Sequence, residues 1–304
     1  MGIADLHIHM GYADHLKYIS VEDVVKAAIR HDVNLIGIVD HYEGPEHDVI
    51  VNKIKEQVEQ VRKKFSEVEI LFGMETSVLT VDGEINIKPE IARKLDFLIV
   101  GMHHIPAGGK CLPYEMKGKI SVGEVKNNPE FQSFLQKFSF EDLIDDWQKT
   151  TLSLMHNPLI SIYAHPVQWP FVVMRKFLPR GKWLISKIED IIPPEVAQDI
   201  FSAAKEAGVA WEVNNEYLPP QYRVDNRYVC CADGRNSWSG MIDLFRIIGK
   251  FGVKVSLGSD AHCPDELERV GRLENALELL RLAKVNKENV ILRREQLRCC
   301  CAST

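Results

Sequence analysis

No pair of cysteines in this sequence stands in a C-x-x-C spacing, and no stretch approaches the roughly 18 apolar residues of a membrane span. Positive charge is in short supply as well. Against 43 Asp and Glu there are 37 Lys and Arg, a net charge of −6, so no basic surplus exists to neutralise nucleic-acid phosphates. A small anionic ligand stays open, because bound metal ions would supply local positive charge. The opening MGIADLHIHM has no basic stretch followed by a long apolar run, so no secretory leader is read there. Leu6 stands where a myristoylation signal on Gly2 needs Ser or Thr. The seven cysteines are odd in number and five sit in adjacent clusters, which does not suit a secreted disulfide framework. The run Cys299–Cys301 reads as free thiols on a frayed C-terminus. The expectation is a cytoplasmic chain with no membrane association and no stable nucleic-acid partner.

What is present is a repeated alternation. At 304 residues and 45% hydrophobic content, the chain is long enough for one large core. Continuous apolar runs at 3–9, 34–40, 68–74, 96–102, 160–164, 209–214 and 253–259 have the character of parallel strands buried on both faces. Helical patterns fill the gaps. Ser20 precedes Val21, Val24, Val25, Ala28 and Ile29 on one face, with Asp23 placed much as in a capping box. Val51, Ile54, Val58, Val61 and Phe65 repeat the spacing, and helices are expected at 139–156, 193–207, 238–250 and 270–283. Pro193-Pro194 and Gly208 bracket one of these as start and stop signals. Repeated β-α units mean a parallel sheet, open or closed. No internal repeat or composition shift divides the chain, so residues 1–304 are read as a single domain. A long irregular stretch at 105–138 is read as an insertion or lid.

The polar residues fall at the carboxyl ends of those strands. His7 and His9 end the first, Asp40-His41 the second, and Glu75 follows the third. His103 follows the fourth, His165 the fifth, Asn214 and Asn215 end the sixth, and Asp260 and His262 follow the seventh. A closed β/α barrel brings all strand carboxyl ends to one face, where barrel active sites sit. The expected fold is therefore α/β, a distorted (β/α)7 TIM-like barrel with a metal site at the carboxyl ends of its strands. Imidazoles with a minority of carboxylates suit catalytic Zn, Mn or Fe, whereas Ca or Mg would want more oxygen. So many ligands exceed one ion and fit two or three divalent metal ions, with Glu75 able to bridge two of them. His31, His47 and His156 lie away from strand ends and read as structural side chains. Of the adjacent pair at 103 and 104, His103 continues the strand phase.

These segments resemble the PHP (polymerase and histidinol phosphatase) family: DLHIHM at 5–10, IVDH at 38–41, GMETSV at 73–78, DFLIVGMH at 96–103, AHP at 164–166 and GSDAH at 258–262. VDGEI at 81–85, WEVNN at 211–215 and His15, eight residues after His7, are similar to the trinuclear-metal PHP phosphatases in particular. The resemblance implies a distorted barrel of seven β/α units. It implies His7, His9, Glu75 and Asp260 on one metal, with Glu75 bridging to a second held by His103 and His165. His15, His41 and His262 would hold a third. The stretches 105–138 and 166–195 match nothing in the family pattern and would shape the substrate pocket.

The activity this implies is hydrolysis of a small phosphate monoester, histidinol-phosphate-like or a nucleotide phosphate, by a metal-bridging hydroxide. Glu75, Asp260 and Asp40 are the expected catalytic side chains, and Asp5 and Asp40 are candidates for orienting imidazoles. Arg175, Arg180, Arg227, Arg235 and Lys110 are candidates for phosphate contact, none preferred. Two alternatives are a phosphodiesterase or exonuclease on nucleic-acid ends and a non-catalytic metal-binding module. An amidohydrolase-type barrel also carries an H-x-H pair, but here no lysine ends a central strand and GSDAH adds a histidine after the late aspartate.

Overall fold

Apolar runs with no polar alternation must be covered on both faces, and they are. The computed structural model describes residues 2–13, 17–103, 105–108, 110–112, 133, 136–166, 188–215 and 234–300. Strands Ile3–His9 (β1), Val33–Val39 (β2), His41–Tyr42 (β3), Glu69–Ser77 (β4) and Phe97–Gly101 (β5) come first. An antiparallel hairpin follows, Ile105–Ala107 (β6) with Lys110–Leu112 (β7), inside the stretch read as irregular. Ile162–Ala164 (β8), Ala210–Asn214 (β9) and Val255–Gly258 (β10) complete the set. Seven of these pair side by side in the order β1-β2-β4-β5-β8-β9-β10, all parallel. The seam closes between β1 and the segment after β10. Ala261 bridges Ile8, the His9 N–H donates to the Ala261 carbonyl at 2.8 Å, and the Asp260 N–H donates to the His7 carbonyl at 2.8 Å. This is the distorted seven-stranded TIM-like barrel, and its closure runs through His7, His9 and Asp260, three of the candidate ligands.

Around it lie helices Val21–Arg30 (α1), Asp48–Lys64 (α2), Pro89–Ala92 (α3), Phe140–His156 (α4), Pro194–Ala207 (α5), Gly234–Phe251 (α6) and Glu274–Ala283 (α7). Ser20 caps α1 by accepting from the Asp23 N–H, and Ser139 with Asp142 forms a full capping box on α4. Gly208 closes α5 in the left-handed region at φ +73°. Helix α7 begins later than the apolar spacing of 270–283 suggests. Gly271 at φ +74° breaks the run, after a 3-10 segment at Pro264–Arg269. No helix among the described residues is long and apolar enough to cross a membrane.

Two apolar layers result. The outer one joins helices to strands, and the inner one fills the barrel with Leu6, Leu35, Leu71, Phe97, Ile99 and Ile162 among others. Leu6 belongs to the inner cluster and Ile8 to the outer, which strict alternation forbids. A register shift between Asp5 and Ile8 in the β1–β2 pairing resolves this. Such a bulge re-aims side chains: the chain plugs the barrel with Leu6 and then points His7 and His9 into its mouth. Room is made across the pair by Gly37, where a Cβ would stand 2.5 Å from the Leu6 carbonyl and 2.7 Å from the Phe97 ring.

Ile291, with Leu292 and Leu297 against it, joins the inner cluster from the C-terminal segment. The Ile291 N–H donates to the Val255 carbonyl at 2.9 Å, and the Cys300 thiol, 2% exposed, donates to the Leu159 carbonyl at 3.3 Å. The frayed-end reading is therefore corrected as far as Cys300: an apolar Ile-Leu pair ahead of the cysteines anchors the segment. Cys301 lies outside the described residues. Ile291→Ala should cost about 2–5 kcal/mol in urea unfolding through the cavity it leaves. Activity per folded molecule should not change, since the site lies at the other end of the strands.

Candidate metal centre

The strand ends deliver eight of the nine expected ligands to one place. His7 and His9 end β1, His41 opens β3, and His103, His165, Asp260 and His262 follow β5, β8 and β10. Glu75 lies within β4 rather than after it, because the strand runs on to pair His41 with Glu75 and Glu75 with Ile99. His15 lies outside the described residues, as do His104, Arg175, Arg180 and Arg227. The side chains of Lys110 and Arg235 are likewise outside the description. His7, His9, Glu75 and His165 are buried, and His41, His103 and His262 are half-buried nearer the mouth. The histidines read as structural are apart from this group. His31 Nδ1 meets the Val270 carbonyl at 2.7 Å, His47 serves the backbone of Glu43 and His41, and His156 is exposed.

The donor atoms have the spacing of a coordination shell. His7 Nε2 and His9 Nε2 stand 2.9 Å apart. Glu75 Oε2 lies 3.4 and 3.3 Å from them, and Asp260 Oδ1 lies 3.4 Å from each. Tetrahedral ligands at zinc-like bond lengths of about 2.0–2.1 Å are about 3.3–3.4 Å apart. The other Glu75 oxygen, Oε1, faces His165 Nε2 at 2.9 Å and His103 Nε2 at 3.2 Å. One carboxylate thus offers an oxygen to each of two clusters. His9, His41 and His262 form a further group with one donor atom each within 4.8 Å of one another, and the His9 and His262 rings stack at 4.0 Å. Among the described residues, the buried Nδ1 atoms of His9 and His165 meet no hydrogen-bond partner. Nitrogens aimed at one another beside carboxylates, as His7 Nε2 and His9 Nε2 are, are what a bound cation resolves.

Local braces hold these groups. Glu212, on β9, accepts from His7 Nδ1 at 2.7 Å and from the His165 N–H at 2.8 Å. Ser77 Oγ pairs with His103 Nδ1 at 3.0 Å, and His262 Nδ1 donates to the Asp260 carbonyl at 2.8 Å. Neither Glu212 nor Ser77 was singled out from the sequence. The available signal was a glutamate inside an otherwise buried strand, since an unpartnered carboxylate is not tolerated there. Asp5 accepts from the N–H groups of Ser259 and Gly271, both at 2.9 Å, so it clamps the backbone that carries Asp260. Burial pushes the Asp5 carboxyl up to about 6, against the pull of those two bonds. Asp40 accepts from the N–H groups of Tyr12 and His41, each at 2.8 Å. His165 at φ +31° and Asp260 at φ +53° hold left-handed backbone, strain of the kind that collects at functional sites.

Burial opposes charge on every one of these groups, yet the charges win at the centre. Despite burial, Glu75 is held well below the usual carboxylate range by the His103 and His7 imidazoles and by hydrogen bonds from His103 and His165. Asp260 is held low by His7, His9 and His262 against the same penalty. His7 is pushed well above its ordinary value, against burial, by Glu212, Asp260 and Glu75, and His9 rises to about 9 beside Asp260 and Glu75. His41 and His262 go the other way, through burial and the neighbouring His9 charge. Ionised carboxylates inside a barrel demand positive charge, and metal ions supply it where imidazoles stay neutral ligands.

No family model matches the chain. In sequence it is 25% identical over 296 residues to a protein of Caldanaerobacter subterraneus subsp. tengcongensis named probable phosphatase, covering 95% of this chain and 86% of that one. It is 23% identical over 292 residues to a protein of Thermoanaerobacter pseudethanolicus with the same name, covering 95% and 89%. In fold it is similar to histidinol phosphate phosphatase of Lactococcus lactis, solved with zinc, L-histidinol and phosphate, with a TM-score of 0.59, 18% identity and 93% and 94% coverage. Fold and sequence agree with the PHP resemblance carried by the motifs. The barrel is the fold it shares with that structure, and the sequence relatives are the proteins named probable phosphatases.

Proposed function

We propose that this chain hydrolyses the phosphate monoester of a small polar metabolite, with histidinol phosphate the first candidate, using two or three divalent ions held by His7, His9, His15, His41, Glu75, His103, His165, Asp260 and His262. The observation that carries the reading is Glu75, a buried carboxylate with one oxygen in each of two histidine clusters. Bound there, the ions would neutralise phosphoryl charge and bring the pKa of a water toward neutrality. The chain's own part is placement. Glu75 and Asp260 supply fixed negative charge, Glu212 and Ser77 set the direction of His7 and His103, and the barrel wall excludes bulk water. His41, His103 and His262, half-buried at the mouth, face the side from which substrate enters. Asp40, held by the Tyr12 and His41 backbone, is placed to steady the His41 end of the centre.

A panel of esters tests this. Metal analysis should give at least two ions per chain, and chelation should abolish turnover until Zn or Mn is returned. Histidinol phosphate should exceed p-nitrophenyl phosphate by about tenfold or more in kcat/KM. Preferred cleavage of single-stranded DNA ends would favour the nuclease alternative. Fewer than one ion per chain, or no hydrolysis at all, would overturn the proposal.

A further inference from the structure

We infer that Glu212 is a positioning residue that ties the two clusters sharing Glu75 to each other, through the His7 ring on one side and the His165 backbone on the other. The inference rests on the metal-centre reading above. Glu212 sits in β9, which pairs with β8 and with β10, the strand that closes onto β1. Its neighbours in that strand are Ala210, Trp211, Val213 and Asn214, and it is buried among them. A carboxylate in such a place needs both oxygens satisfied. They are spent on two candidate ligands that meet different oxygens of Glu75: Oε1 takes the His7 Nδ1–H at 2.7 Å, and Oε2 takes the His165 N–H at 2.8 Å.

Each bond has a consequence. A hydrogen fixed on His7 Nδ1 leaves the Nε2 lone pair facing His9, Glu75 and Asp260, the tautomer a ligand needs. The bond to the His165 N–H holds that residue at φ +31°, which a non-glycine residue otherwise leaves. From that backbone His165 Nε2 reaches Glu75 Oε1 at 2.9 Å. Space for the carboxylate is reserved by Gly258 on the neighbouring strand, where a Cβ would collide with Glu212 Oε1 and stand 2.6 Å from His7 Cβ.

Glu212→Gln is the test, because an amide has the same shape but only one accepting oxygen. It can serve His7 or His165, not both, and facing His7 with its NH2 it would move the ring hydrogen to Nε2. In the full-length protein, zinc affinity measured against a chromophoric chelator should weaken by about 10–100-fold, and kcat should fall over the same range with KM unchanged. Nitrogen spectra of the metal-free protein, taken at a pH high enough to leave the His7 ring neutral, should show the changed His7 tautomer, while its Tm at neutral pH stays within a few degrees of wild type. Ser77→Ala, which frees only His103, should weaken one ion and leave the His7 tautomer alone. If E212Q does not fold, Glu212→Asp carries the test: it keeps the charge one methylene short, and unchanged zinc affinity in it would overturn the inference. E212Q with wild-type zinc affinity and kcat, or with a lowered Tm as its sole change, would also overturn it. Wild-type protein that takes up no zinc would instead sink the metal-centre reading itself.

Discussion

Glu75→Gln is expected to lower phosphate-ester turnover by at least about 10³-fold, beyond the 10²–10³-fold typical of losing one stabilising group at an active site. The same change should remove more than one ion per chain. Both effects follow from the two oxygens. Oε2 lies against His7 and His9, and Oε1 lies against His103 and His165. An amide keeps one acceptor and turns the other position into a donor facing imidazole nitrogens. It also removes the anion that offsets cations on both sides, in a place too buried for water to replace it. Asp260→Asn is the informative comparison. Only Oδ1 of Asp260 enters the first cluster, while Oδ2 accepts from Asn214 Nδ2 at 2.9 Å. It should therefore release one ion. Metal analysis of the two purified variants separates the cases, and E75Q with a full ion complement would contradict the bridging role.

The sequence carried the barrel because its strands are buried on both faces, and such strands read as unbroken apolar runs whose ends are easy to find. LIGIV and FLIVG read as such strands, and the polar residue at the end of most runs is a candidate ligand. Register is a different matter. The bulge between Asp5 and Ile8 exists only as a relation between β1 and β2, so nothing local in DLHIHM announces it. The H-x-H spacing puts His7 and His9 on one side, but the bulge decides that this side is the one Leu6 also faces. Length misled in the same way at Glu75, where pairing with His41 on one side and Ile99 on the other extends β4 past its apolar run.

The braces were less legible than the ligands. A histidine at a strand end suggests metal by type alone, whereas Glu212 and Ser77 have meaning only through the imidazoles they touch from other strands. Asp5 is a group whose role sequence alone leaves open. Its residue type fits orienting an imidazole and backbone hydrogen bonding equally, and its oxygens take the second role, holding the main chain of Ser259 and Gly271. The C-terminal segment misled through its cysteines. Ile291 and Leu297, which seat it at the barrel interior, are too few to form a periodic pattern.

Gly101→Ala should lower turnover by about 10²-fold, the cost of misplacing catalytic groups by about 1 Å. The backbone gives no reason for glycine here. Gly101 lies in β5, paired with Ser77 and with Ala164, and is not among the residues with positive φ. The reason is the side-chain space. A Cβ at this position would stand 2.5 Å from Glu75 Oε1 and 2.6 Å from His103 Cε1 and Nε2. Neither group has a free direction of retreat, because Oε1 also meets His165 and His103 Nδ1 is paired with Ser77. The methyl must therefore part Glu75 from His103, opening the second cluster and leaving His7, His9 and Asp260 together. Loss of the more weakly held ion with retention of the other is the expected metal-binding result, and the metal-free protein should unfold within a few degrees of wild type. Gly249→Ala on α6 is the matched control. Its Cβ would meet Val285 at an ordinary 3.4 Å, and alanine is the better helix former. Turnover by G101A within twofold of G249A would show that the cluster has slack the packing does not suggest.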